Sequence, residues 1–146
     1  MNFICALMDW LRRIGAHCSF EFDEFFAYDR IRNVIKVGVN EEDNIKAYEQ
    51  MLYEYGAEYY DIYAPVLVFL HELGHYATVK SFSDLEISLC NMTKAFAENQ
   101  IEYWEVPDEF SAIMWEIKFI NNCPQYVDEL STIYSKYWND FIERRL

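Results

Sequence analysis

Residues 61–79 read Asp-Ile-Tyr-Ala-Pro-Val-Leu-Val-Phe-Leu-His-Glu-Leu-Gly-His-Tyr-Ala-Thr-Val, with His71-Glu72-Leu73-Gly74-His75 near the centre. Val66, Phe69, Leu70, Leu73 and Ala77 recur at helical spacing. Pro65 suits a first-turn position, where its missing N–H costs nothing. The segment is therefore predicted to be a helix. On a helix, His71 and His75 stand one turn apart on one face, and two imidazoles so placed can grip one metal ion from one side. Glu72 stands beside them, within reach of a water in an open coordination position. Gly74 costs about 1 kcal/mol relative to Ala in a helix interior. Its missing side chain leaves room beside the metal or against a packed neighbour. The competing reading is a pair of ordinary helix-surface or core histidines. Two of the chain's three His fall in this pentapeptide, which favours metal binding.

The rest of the composition bounds the answer. A chain of 146 residues is predicted to form one domain, 1–146. It is 53% hydrophobic and 18% aromatic, enough for a substantial core and unlike a disordered chain. The net charge of −13 argues against direct nucleic-acid binding, which needs clustered Lys and Arg. It fits a basic partner or substrate, a nucleic-acid mimic, or a merely solvated acidic surface. Cys5, Cys18, Cys90 and Cys123 form no C-x-x-C pair and sit in apolar surroundings, as reduced thiols of a cytoplasmic protein would. No basic n-region precedes the first apolar run, so no signal peptide is expected. The longest apolar run, Ile62 to Leu70, is too short to span a membrane.

Along the chain, residues 3–16 are predicted to form an amphipathic helix with Ile4, Leu7, Met8, Leu11 and Ile14 on its buried face. Residues 18–39 read as strands broken at Asp29-Arg30, giving a β-hairpin or small antiparallel sheet. Asn40 caps a helix that ends near Gly56 and buries Ile45, Tyr48, Leu52 and Tyr55. Residues 80–83 read as a turn, 84–98 as a further helix and 100–106 as a connection. Pro107 opens a helix with Phe110, Ile113, Met114, Ile117 and Ile120 on its apolar side, ending by Pro124. A last helix runs from about Gln125 to Arg144 with Val127, Leu130, Tyr134, Tyr137, Trp138 and Phe141 as its stripe. The expected class is α+β, with helices packed on the small sheet or hairpin.

A catalytic zinc usually takes three protein ligands and one water. No His lies downstream of His75, which excludes the metzincin pattern. The third ligand is sought among Glu109, Asp108, Glu116, Glu105 and Glu102, with His17 as the remaining His. Glu109, Ala112 and Glu116 share the helix face opposite Phe110, Ile113 and Ile117. The dense tyrosines from Tyr53 to Tyr63 include possible donors to a developing oxyanion. Tyr76 follows a ligand on the same helix and is expected to point elsewhere.

His-Glu-Leu-Gly-His-Tyr at 71–76, followed by Glu109-Phe-Ser-Ala112, resembles the gluzincin-type zinc metallopeptidases, above all the small ImmA/IrrE-type enzymes of phages and mobile elements. The resemblance covers roughly residues 18–120 in element order, and two short motifs carry it. It implies a minimal zincin-like fold, zinc as cofactor, His71, His75 and Glu109 as ligands, and Glu72 as general base. It further implies a protein or peptide substrate, basic if the acidic surface selects it. Two other readings stand beside it. One is an acidic binding or inhibitor protein of viral or mobile-element type with a structural or vestigial zinc site. The other is a hydrolase acting on something other than peptide.

Overall fold

The computed structural model describes residues 1–55, 59, 61–79 and 107–145. The expected turn at 80–83, the helix at 84–98, the connection at 100–106 and Cys90 lie outside them, as does Gly56. The class is α+β: α-helices with a three-stranded mixed sheet, against which the helix Ala64–Thr78 packs.

Helix α1 (Phe3–Arg13) starts where Asn2 accepts the Cys5 backbone N–H at 2.9 Å. It ends before Gly15, whose φ of +80° suits a glycine past a helix end. Its buried face is Phe3, Ala6, Leu7, Trp10 and Leu11. Ile4 and Met8, expected inside, are exposed. Phe3 and Trp10 carry the bulkier rings, and turning the helix toward them buries more apolar area. The Trp10 Nε1–H then donates to the Tyr126 carbonyl at 2.9 Å.

The strands are β1 (Ser19–Asp23), β2 (Ala27–Asp29) and β3 (Val34–Gly38), in spatial order β1-β3-β2. β2 and β3 form the expected antiparallel hairpin, but β1 runs parallel to β3, with Phe20 opposite Ile35. The sheet is therefore mixed, which corrects the antiparallel expectation. The stretch from Ser19 to Tyr28 is two strands, interrupted after Asp23, and the chain passes the end of β3 to reach the other edge. Gly38 permits that passage: a Cβ there would meet the Phe26 backbone nitrogen at 2.7 Å. The hairpin turn closes through Asn33, whose positive φ of 55° is one that Asn tolerates.

Helix α2 (Glu41–Tyr55) carries three acids in its first turn, where they complement the helix dipole. Its buried positions are Asn44 and Met51, whereas Ile45, expected inside, is exposed. The Tyr55 side chain lies outside the described residues. Helix α3 (Ala64–Thr78) is buried continuously from Pro65 to His71 and again at Leu73 and Gly74, as a helix flanked on several sides must be. Val66, Phe69, Leu70 and Leu73 join α1, β3 and the C-terminal helices in one core cluster. Leu67 and Val68 join Met51, Tyr59 and Ile113 in a second.

Helix α4 (Pro107–Asn122) packs most extensively of all on α3. It buries Glu109, Ala112, Ile113 and Glu116 and leaves Phe110 and Met114 exposed. Of the expected apolar stripe, Ile113 is buried and Ile117 and Ile120 pack against the core, while Phe110 and Met114 face outward and the acid-bearing face is turned inward. Helix α5 (Pro124–Ile133) continues through a π-helical turn (Tyr134–Trp138) into α6 (Asn139–Arg145), where one unbroken helix was expected. Across that turn, Tyr134 and Trp138 both meet Phe3, at ring separations of 5.0 and 4.8 Å. Among the described residues no helix is long and apolar enough to cross a membrane.

Candidate metal centre

Two helices build the site. The third and fourth turns of α3 carry His71 and His75, and the first turn of α4 carries Glu109. The helices approach backbone to backbone: a Cβ on Gly74 would lie 2.6 Å from the Ala112 carbonyl oxygen. Gly74 therefore faces a packed neighbour, one of the two uses its sequence position suggested. This contact sets Glu109, one turn before Ala112, against the His pair.

The three side chains converge on one point. His71 Nε2 lies 2.9 Å from Glu109 Oε2, and His75 Nε2 lies 3.2 Å from both. An ion with ligand distances of about 2.1 Å in tetrahedral geometry has ligands about 3.4 Å apart, within half an ångström of these separations. The donor set also asks for a cation. A proton on His71 Nδ1 leaves Nε2 with a lone pair aimed at a carboxylate oxygen, an arrangement that repels unless positive charge sits between them. His71, His75 and Glu109 form the one such group among the described residues that could hold a metal ion.

The surroundings reinforce that demand. Burial by itself disfavours a charged His71, yet Glu109, Glu116 and Glu72 outweigh it, and the ring's proton affinity is raised well above the usual value. Burial likewise opposes a charged Glu109, but both imidazoles overcome it and hold the carboxyl well below the ordinary range. These shifts express one field: the cluster attracts positive charge, whether a proton or a metal ion.

Glu116 was among the candidate ligands. It is fully buried, with Oε1 3.7 Å from His71 Nδ1, the nitrogen the cluster leaves unused. That distance is long for a hydrogen bond and short enough for strong attraction in a buried setting. Glu116 thus backs His71 and is not part of the cluster. His17 is exposed in the loop after α1, and its ring is not part of the cluster. Glu102, Glu105 and the Asp108 side chain lie outside the described residues. The Tyr76 hydroxyl accepts the His17 backbone N–H at 2.7 Å and its ring packs on Tyr28, so it serves the sheet side of α3. Tyr53 is exposed and Tyr59 buried against Met51 and Val68.

Glu72 is half-buried. Burial raises its carboxyl's proton affinity, and the neighbouring imidazoles offset part of that rise. It opens, with His71, onto a cleft of about 300 Å³ between α2, α3 and the connection after β1. The cleft is lined by Phe25, Phe26, Ala47, Met51 and Val68, with Asp43, Asn44 and Gln50 as its further polar residues. Sequence reading missed this cleft. Phe25-Phe26 directly after the acidic pair Asp23-Glu24 was the available signal, but it reads equally well as strand interior. Comparison with protein-family profiles, with curated proteins and with solved structures returns no significant match.

Proposed function

We propose that this chain is a zinc-dependent metallopeptidase of zincin-like architecture, acting in the cytoplasm on a protein target, in the manner of the ImmA/IrrE-type enzymes its motifs resemble. The observation that carries the proposal is the convergence of His71, His75 and Glu109 from two packed helices, with Glu72 opening onto the adjoining cleft. Three N/O ligands that leave one position free are the donor set of a catalytic zinc, whereas structural sites are usually closed by Cys or His.

When held by His71, His75 and Glu109, a zinc ion supplies Lewis acidity: it lowers the pKa of a water to about 7 and polarises the carbonyl under attack. Glu72 accepts the proton as the water oxygen bonds to the carbonyl carbon. It then delivers the proton to the leaving nitrogen as the C–N bond breaks. Glu116 holds the His71 ring in orientation from behind.

The test combines elemental mass spectrometry with a peptide-library digest. Wild type is expected to carry about one zinc per chain, as three ligands around one point imply, and His75→Ala and Glu109→Ala to lose it. Glu72→Gln should keep zinc and fold while losing at least about a hundredfold in hydrolysis, the usual reach of general base catalysis. Folded wild type that takes up no zinc when supplied with it would sink the proposal. The net charge of −13 favours one second reading, an acidic binding protein with a vestigial metal site. A zinc-loaded chain that cleaves nothing, and whose function survives Glu72→Gln, would establish it.

A further inference from the structure

The cleft that opens beside Glu72 is built of two kinds of surface. Phe25 and Phe26 come from the connection after β1, Ala47 and Met51 from α2, and Val68 from α3; together they form apolar walls. Asp43 and Asn44 stand at the α2 N-terminus, Gln50 stands further along α2, and Glu72 stands on α3 beside the buried His71. Among the described residues no Lys or Arg lines the cleft. Its volume of about 300 Å³ is at the small end for a ligand site, the scale of one large side chain and not of a cofactor.

Asp43 is the informative residue. All three acids of the first turn of α2 complement the helix dipole, but Glu41 and Glu42 are exposed, whereas Asp43 is half-buried on the cleft wall. Its backbone N–H donates to the Asn40 side chain at 3.1 Å, and no described side chain pairs with its carboxylate. An aliphatic occupant would satisfy the walls but strip water from Asp43 and Glu72 with nothing in return. An acidic occupant would meet two carboxylates of like charge. A lysine or arginine side chain satisfies both surfaces. Its methylene stem lies along Ala47, Met51 and Val68, and its charged head reaches Asp43 with the Phe25 and Phe26 rings alongside.

We propose that this cleft selects a lysine or arginine side chain next to the bond being cut, with Asp43 as the specificity-determining residue. The proposal rests on the metallopeptidase reading for the cutting, and on the cleft alone for the binding.

The test therefore reads binding and cleavage separately. Capped tripeptides Ala-X-Ala, with X as Arg, Leu or Glu, are titrated into metal-free and zinc-loaded protein while the methyl NMR signals of Ala47, Met51 and Val68 are followed. Binding is expected in the order Arg, Leu, Glu, with Arg about tenfold tighter than Leu, the gain of one partly desolvated ion pair. Asp43→Asn should collapse that ratio and Asp43→Lys should invert it. Glu49→Gln, an exposed charge-matched change on the same helix, should leave the ratio in place, which separates a built site from general attraction to an acidic protein. Cleavage of a peptide library by zinc-loaded protein should show the same preference and the same dependence on Asp43. Arg binding no tighter than Leu, or a ratio that Asp43→Asn and Glu49→Gln reduce equally, overturns the proposal even if peptides are cut. Selective binding without any cleavage upholds the cleft and overturns the peptidase reading.

Discussion

The carboxyl group of Glu116 is fully buried within 3.7 Å of a histidine nitrogen that no ligand position needs. Burying a carboxylate is expensive, so its partner matters. One partner is His71, where the charge favours a proton on Nδ1 and leaves Nε2 facing Glu109. Replacing Glu116 with Gln keeps the shape but removes the charge that polarises the ring. Zinc affinity, measured by competition with a chromophoric chelator, is expected to fall about 10- to 100-fold, the usual cost of losing such a partner. One zinc should still bind at saturation, because all three ligands remain. An unchanged affinity would mean that Glu116 only fills space.

At the scale of elements, the site depends on how closely α3 and α4 approach, and Gly74 sets that distance. Gly74→Ala would gain up to about 1 kcal/mol in helix propensity. The added methyl would meet the Ala112 backbone at 2.6 to 3.2 Å, and backbone cannot swing aside as a side chain can. Overpacking of this kind costs about 1–3 kcal/mol, so the clash wins. In metal-free protein the urea midpoint is expected to fall with an unchanged m-value. A midpoint at or above wild type would show that the helices separate freely. The helix bearing His71 and His75 was legible from periodicity and from Pro65, and α2 from its capping residue. Glu109 was legible from the E-x-x-A match alone. The inward placing of Ile113 was legible, but that Glu109 and Glu116 lie inside while Phe110 and Met114 do not escaped. Phe110 and Met114 outweigh Glu109 and Glu116 on any hydrophobic scale, yet the acids are buried because two histidines wait for them across the helix contact. The parallel pairing of β1 with β3 also escaped. Local alternation shows that a strand exists but not which neighbour it takes, and here the permission comes from Gly38, beyond the strand it affects.

For the whole molecule, a metal ion that binds the folded form and not the unfolded chain adds stability by mass action. At a free zinc concentration 100 times Kd the gain is about 2.7 kcal/mol, a rise in Tm of about 9 °C for a domain of this size. Differential scanning calorimetry should show that rise in wild type, its reversal by chelator, and its absence in Glu109→Ala. An equal rise in the variant would place the ion elsewhere. The candidate ligands also lie far apart in sequence: His75 and Glu109 are separated by 34 positions. An ion held between them, as proposed, would therefore be a cross-link as well as a reagent. Cys5, Cys18 and Cys123 are free, so among the described cysteines no disulfide competes for that role. Closing a loop of this length by a covalent bridge would restrict the unfolded chain by about 4 kcal/mol. Unlike a disulfide, this closure comes undone without any redox step. On the metallopeptidase reading proposed above, the supply of metal would set, in one stroke, whether the chain can act and how firmly α3 and α4 are tied.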